Sequence, residues 1–227
     1  MNPIQLIEGI ALADLIVLLA GSITTWFFRK SLIPSMKWLL SYLFMVAGIE
    51  ILAKMYVYEW LSGSNLHLLH IYAPLEFALL SLMYLSLFKS KRLKWILGSI
   101  FLLIVVYSVF NLLYNNGNTD DFATYSKLVV NGSMVGLSCL FFMQCLRDPA
   151  RHMDHFNALG FTNSGILLYF AGSFIIYLIL NELISSYVSD VLYLWVINAI
   201  LTFIFHLTCI IALWQKDSRL TKTSPYG

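Results

Sequence analysis

The sequence has few charged residues and few cysteines. Only 11% of its 227 residues are Asp, Glu, Lys or Arg, whereas a soluble domain carries about 25%. The formal net charge of +2 is too small to indicate binding to nucleic acid. The cysteines, at positions 139, 145 and 209, all lie in apolar stretches, so a disulfide framework is not expected. These shortages exclude an ordinary soluble domain and a disulfide-stabilised secreted one.

Long apolar runs take the place of the missing charge. Hydrophobic residues make up 59% of the chain, and the mean hydropathy is +0.78. A helix needs about 20 apolar residues to cross a hydrocarbon core, and seven stretches reach this length: 5–28, 36–60, 66–88, 95–114, 126–146, 165–187 and 191–214. They are continuous, unlike the alternating strands of a membrane β-barrel. The sequence therefore predicts an all-α polytopic protein, with residues 1–227 forming a single seven-helix transmembrane domain in a lipid bilayer.

The segments that connect the predicted spans differ in their content of basic residues. Those that follow spans 1, 3, 5 and 7 contain Arg29, Lys30, Lys37, Lys89, Lys91, Arg92, Lys94, Arg147, Arg151, Lys216, Arg219 and Lys222. The alternate segments, "LSGSN", "NNGNTDDFATY" and "SSYVSD", contain none. Because cytoplasmic loops are enriched in Lys and Arg, we expect the N-terminus outside and the C-terminus in the cytoplasm. The predicted location is a cell membrane, crossed several times, such as a bacterial inner membrane.

Polar residues within the spans gather in the outer half of the predicted bundle. Counting about 1.5 Å per residue from the outer boundary places nine candidate ligand-binding residues there: His70, Asn111, Asn131, Glu182, Lys54, Asn198, Asp14, Glu50 and Glu76. The inner half has His206 as its main ionisable group, about 10 Å deeper than Glu76. Such a layer predicts an outward-facing polar pocket. The alternative is a set of interhelical hydrogen bonds around one buried salt bridge, with no ligand.

Acids outnumber bases in this layer. Glu50 and Lys54 are four residues apart with the acid first, which is the favourable order for a pair on one helix. Their pairing would leave Asp14, Glu76 and Glu182 without a base. Either some of these carboxyl groups are protonated, or a cation such as a proton, a metal ion or an amine joins them.

Signals for a metal site or a catalytic site are weak. His70, Glu76 and His206 are acceptable metal ligands, but no local spacing supports them, so we expect neither a metal nor a cofactor. The histidines of "RHMDHF" at 151–156 are interpreted as part of a solvated loop. Because no nucleophile–base pair or metal cluster is visible, an enzyme is not expected.

Small residues and spacing suggest how the helices pack. Gly132 and Gly136 form a G-x-x-x-G pair, and "AGS" at 171–173 lies within the sixth span; both patterns predict close helix contacts. Spans 1–3 and 5–7 share one orientation, so they could form a parallel repeat with span 4 as the linker. At an offset of 124 residues a few positions match, which leaves both duplication and chance open.

The segment "HIYAPLEF" at 70–77 places His70, Pro74 and Glu76 inside an apolar run. It resembles a stretch of uncharacterised small bacterial seven-helix membrane proteins. This resemblance covers the third span and implies no particular activity. The three-one-three layout is also similar to that of small sugar or vitamin carriers, through Asn198 and Pro74. A retinal pigment is excluded, because the seventh span has no lysine before Lys216.

Two functions fit these observations. The first is a receptor-like membrane protein that binds a small molecule or a cation in its outer half. Because only a short tail follows the seventh span, it would signal to a separate cytoplasmic partner. The second is a small secondary transporter, proton-coupled through Glu76 or Asp14.

Overall fold

The computed structural model describes residues 3–27, 29–57, 67–88, 90–114, 124–147, 156–184 and 188–215. Within these ranges the side chains at 57, 67, 111, 112, 114, 124, 156, 157, 180–184 and 188–190 are not described.

Seven helices account for nearly all of the described residues. They are α1 (Pro3–Phe27), α2 (Pro34–Val57), α3 (His67–Leu87), α4 (Lys91–Tyr114), α5 (Thr124–Arg147), α6 (Phe156–Ile184) and α7 (Val188–Trp214), and a 3-10 turn at Arg29–Ser31 joins α1 to α2. Each of the seven contains a segment long and apolar enough to cross a membrane. The prediction of an all-α polytopic protein with seven membrane-spanning helices is confirmed at this level.

One predicted span is too short at its beginning. The sixth was expected to begin at Gly165, but α6 begins at Phe156. The reason lies in the polar residues that resembled a loop. Thr162 Oγ1 donates to the carbonyl of Ala158 at 2.9 Å, and Ser164 Oγ donates to the carbonyl of Gly160 at 2.9 Å. A hydroxyl that bonds the preceding turn is compatible with a helix interior. The predicted end of the second span, at residue 60, lies outside the described residues.

Six of the helices form a closed ring in the order α1, α2, α3, α5, α6 and α7, with α7 returning to α1. α4 stands outside this ring, packed on α3 and lightly on α5. The ring therefore consists of a first triplet (α1–α3) and a second triplet (α5–α7). They meet at two seams, which we name the α3–α5 seam and the α1–α7 seam, and α2 also contacts α7 across the middle.

The interior of the ring is aromatic and closely packed. The rings of Tyr169 and Phe205 are stacked with centroids 5.0 Å apart, and Tyr42 lies 5.9 Å from Phe205. α7 is approached closely from two sides, since a Cβ at Gly172 would lie 2.5 Å from Leu201 Cδ1 and one at Gly21 would lie 2.5 Å from Ile210 Cδ1. Small residues permit such approaches between membrane helices.

The two predictions of close helix contact that were based on small residues differ in how they compare with the structure. The close contact predicted for "AGS" at 171–173 is present at Gly172. The G-x-x-x-G prediction is wrong for Gly136, where an added Cβ would meet nothing within 4 Å. Gly132 makes only ordinary contact, because its Cβ would lie 3.5 Å from the ring of Phe174.

Candidate functional site

Glu76 lies at the centre of the α3–α5 seam and is fully surrounded by donors. Its side chain is 0% exposed, and that of its partner Lys127 on α5 is 5% exposed. Lys127 Nζ lies 2.6 Å from Glu76 Oε2. Oε1 accepts hydrogen bonds from Tyr72 at 2.6 Å and from Tyr42 at 3.3 Å. The expectation that Glu76 has no base is therefore wrong.

Helical spacing positions the groups around this ion pair. Tyr72 precedes Glu76 by four residues on α3, so the two side chains lie on one face. Lys127 Nζ also lies 4.0 Å from the centroid of the Tyr72 ring, a cation–π geometry that helps to stabilise a desolvated ammonium group. Sequence reasoning missed Lys127 because it is the second residue of its predicted span, where a lysine can reach the membrane surface. Asn131 lies one helical turn further along the same face of α5. This second polar residue would have indicated that Lys127 belongs to the polar layer.

Asp14 and His206 form a second buried pair at the α1–α7 seam. His206 Nδ1 lies 3.0 Å from Asp14 Oδ1 and 2.9 Å from Oδ2, and both residues are buried. Two expectations are therefore wrong: that Asp14 has no basic partner, and that His206 lies far below the carboxylate layer. Depth counted from the outer boundary of each span ignores helix tilt and unequal helix length, and α7 has 27 residues.

The second ring nitrogen of His206, Nε2, is buried and has no hydrogen-bond partner in the part of the chain that the structure describes. The His206 ring lies 6.2 Å from the ring of Tyr42, whose hydroxyl reaches Glu76. Tyr42 therefore stands between the two ion pairs.

Glu50 belongs to the surroundings of the second pair. The titratable groups that act on it are Asp14, His206 and Lys54. The predicted Glu50–Lys54 ion pair is not among those closer than 4.0 Å that the described residues form.

Asn131 is the least satisfied polar side chain of the predicted site. It is 1% exposed, and neither its Nδ2 nor its Oδ1 has a hydrogen-bond partner among the described residues. It lies one turn from Lys127 on α5. A buried amide without partners destabilises the folded protein, because its polar atoms give up their hydrogen bonds to water without replacement. The cost is about 1–3 kcal/mol for each group.

The remaining predicted residues are dispersed. Asn198 Oδ1 accepts a hydrogen bond from Ser173 at 2.8 Å, so it joins α7 to α6. His70 is buried on α3. The side chains of Asn111 and Glu182 lie outside the described residues.

Neutral polar contacts also join the two triplets, one from α3 to α6 and on to α5, and one at the α1–α7 seam. Tyr84 donates to Asn163 Oδ1 at 2.5 Å, and Asn163 Nδ2 donates to the carbonyl of Ser138 at 3.1 Å. At the α1–α7 seam, Trp214 Nε1 donates to Thr25 Oγ1 at 3.2 Å. The hydrophobicity of the flanking residues gave no indication of these contacts.

The described His, Cys, Asp and Glu residues form no group of three or more that could hold a metal ion. Comparisons of the chain with protein-family models, with curated proteins and with solved structures found no match. The resemblance of the third span to small bacterial seven-helix proteins therefore stays a prediction.

Proposed function

We propose that the protein is a receptor-like membrane protein that binds a small polar molecule beside the Lys127–Glu76 pair. The observation that carries this proposal is the combination of that pair with Asn131 one turn away. The ion pair is fully buried, and the amide has no partner among the described residues.

The energetics favour a functional role over a structural one. Withdrawing an ion from water has an effective penalty of several kcal/mol, and replacing a buried pair by apolar residues is often neutral or stabilising. An ionisable residue inside a membrane is a candidate functional residue for the same reason. An unpartnered amide beside such a pair adds to the destabilisation, and a ligand that hydrogen-bonds Asn131 would remove that contribution.

The pairing of Glu76 narrows the class of ligand. A free cation would have to displace Lys127, which already lies 2.6 Å from the carboxylate. A neutral molecule needs no such exchange, because Asn131 offers one donor group and one acceptor. We therefore favour an uncharged ligand with an amide-like or polyol-like edge.

The orientation of the chain completes the proposal. The basic segments after predicted spans 1, 3, 5 and 7 favour an outer N-terminus and a cytoplasmic C-terminus. The ligand would then enter from outside, and the basic loops would face a cytoplasmic signalling partner. A bacterial inner membrane is the proposed location.

Cysteine labelling in intact cells tests this orientation. We expect Ser64→Cys and Thr119→Cys to react with an impermeant thiol reagent, and Ser90→Cys to react only after lysis. Labelling of Ser90→Cys in intact cells would overturn the orientation, and the native cysteines are first replaced by alanine.

Binding is tested by thermal unfolding of the detergent-purified protein. The neutral probes are acetamide, nicotinamide, glucose and glycerol, and the cation probes are sodium, magnesium and choline chlorides. A ligand at 100 times its Kd stabilises the folded state by about 2.7 kcal/mol, which raises the Tm by about 5–10 °C.

Two variants on α5 make this assay specific. Asn131→Leu should lose the stabilisation by a neutral probe while its own Tm is unchanged or higher. The control Gln144→Leu removes an exposed amide from the same helix and should keep the stabilisation. Stabilisation by cations alone, equal stabilisation in Asn131→Leu, or no response to any probe would contradict the proposal.

A second candidate is a small proton-coupled transporter. The observation that favours it is the division of the ring into two triplets that meet at two seams, each with a buried ion pair. Such a division suits a movement of one triplet against the other. The test is uptake of the probe that stabilises the protein into proteoliposomes, with and without a pH gradient. Uptake driven by the gradient supports a transporter, and binding without uptake supports a receptor.

A further inference from the structure

We infer that Asp14 and His206 form a proton-binding site at the α1–α7 seam, in which His206 Nε2 is the atom that takes the proton. This site lies at the other seam from the proposed ligand site, and its test uses no ligand. It can therefore fail or succeed independently of the proposed function.

The geometry identifies the state of the imidazole. His206 Nδ1 lies within 3.0 Å of both oxygens of Asp14, and an ionised carboxylate can only accept a hydrogen bond. When Asp14 is ionised, Nδ1 therefore carries a hydrogen. Nε2, which has no partner among the described residues, carries either a lone pair or a second hydrogen.

The unpartnered Nε2 favours the neutral ring in this state. A buried N–H group of a cation without an acceptor is more unfavourable than a bare nitrogen, because hydrogen bonds to charged groups are the stronger ones. The carboxylate thus holds the ring in the Nδ1–H form and directs the basic nitrogen away from Asp14. Histidine is also the side chain whose unperturbed proton affinity lies nearest to neutral pH.

The groups around the ring favour the uptake of a positive charge. Asp14 of α1 and Tyr42 of α2 face the ring directly. Glu50 of α2 interacts with both Asp14 and His206, and Lys54 acts on Glu50. Tyr169 of α6 stacks on the neighbouring Phe205, and Cys209 follows His206 by three residues on α7. When they are ionised, Asp14 and Glu50 supply two negative charges against the one positive charge of Lys54. A proton on His206 balances this cluster, whereas Glu76 and Lys127 are already balanced one to one.

Protonation changes the bond that closes the seam. A neutral imidazole already donates a charge-assisted hydrogen bond to the ionised Asp14 carboxylate. The imidazolium adds to this bond the Coulomb attraction between two opposite charges. The α1–α7 seam is therefore held more firmly as the pH falls through the titration of His206.

The test is nitrogen NMR of the full-length protein labelled with [15N]histidine, titrated between about pH 5 and pH 9, a range that brackets the ordinary titration of histidine. The chain has five histidines, so the His206 signals are assigned by their loss in His206→Asn. We expect the Nδ1–H form with a bare Nε2 at the alkaline end and a doubly protonated ring at the acid end.

Matched carboxylate variants decide whether the neighbours control this titration. Asp14→Asn should move the midpoint to lower pH, because it removes the adjacent negative charge. The control Glu8→Gln removes an exposed carboxylate from the same helix and should leave the midpoint unchanged. If Asp14→Asn does not fold, Glu50→Gln should give a smaller shift in the same direction.

Three results would overturn the inference. The first is an Nε2 signal that stays constant over the whole range. The second is an alkaline form that is protonated at Nε2 rather than at Nδ1. The third is a His206 midpoint that is the same in Asp14→Asn as in the unaltered protein. Where Glu50→Gln is used instead, an unchanged midpoint in that variant has the same meaning.

Discussion

The two seams of the helix ring use the same kind of contact with different chemistry. At the α3–α5 seam, Glu76 is bound by an ammonium group and two hydroxyls, so every carboxylate oxygen has a donor. At the α1–α7 seam, Asp14 has a histidine whose second nitrogen has no partner among the described residues. Lysine stays charged over a wide pH range and histidine does not. We expect one seam of constant strength and one whose strength depends on pH.

The largest expected effect comes from removing the base at the α3–α5 seam. Lys127→Met leaves the Glu76 carboxylate buried without a positive charge, which should destabilise the folded protein by about 3–5 kcal/mol. The double variant Glu76→Gln/Lys127→Met removes both charges and should recover most of the loss. The measurement is reversible unfolding in mixed detergent micelles. Equal losses in the two proteins would show that the pair does not act as a unit.

The neutral contact that joins α3 to α6 should have the next largest effect. Tyr84→Phe leaves Asn163 Oδ1 buried without its donor, which should destabilise the protein by about 1–3 kcal/mol. The same unfolding assay measures this, with Phe142→Leu as a control for aromatic packing outside the hydrogen bond. A loss no larger than about 0.5 kcal/mol, the usual range for a change away from such contacts, would remove this bond from the comparison.

The corresponding contact at the α1–α7 seam should matter less. Thr25→Val removes the acceptor of the Trp214 indole, but Trp214 is 55% exposed and can donate elsewhere. We expect a loss of about 0.5–1.5 kcal/mol, the net value of an ordinary hydrogen bond. The measurement is the difference in unfolding free energy between Thr25→Val and Thr25→Ser, since serine keeps the hydroxyl. A loss as large as that of Tyr84→Phe would mean that the two neutral contacts contribute equally to the free energy of unfolding.

The smallest expected effect concerns Glu50 and Lys54. Both are half-buried and have no ion pair with each other closer than 4.0 Å. Glu50→Ala and Glu50→Ala/Lys54→Met should therefore differ in stability by less than about 1 kcal/mol. The measurement is the difference in unfolding free energy between the two variants at two salt concentrations. A weak, partly exposed interaction should fall further at the higher concentration. A difference comparable to that at Lys127 would restore the predicted pair.

Much of the fold was predictable, because hydropathy reports directly on whether a segment can leave water. The beginning of α6 was not, since Thr162 and Ser164 have the composition of a loop and bond inside a helix. For the candidate site, the sequence indicated Glu76, Asp14 and Asn131 but not the partners of the two acids. Lys127 was overlooked beside a boundary, and the Asp14–His206 bond depends on how two helices are tilted and staggered. Pairing between helices is a property of packing that a single sequence does not reveal.

The position of α4 has a consequence for how this chain can vary. It stands outside the ring, and Leu102, Leu103 and Leu113 are 62%, 68% and 72% exposed, so lipid rather than protein contacts most of their surface. Lipid accepts any apolar shape, whereas Gly21 and Gly172 meet fixed partners on α7. Among natural variants we therefore expect the exposed positions of α4 to vary freely among leucine, isoleucine, valine and phenylalanine. The six ring helices should retain the size of each residue along their inner faces.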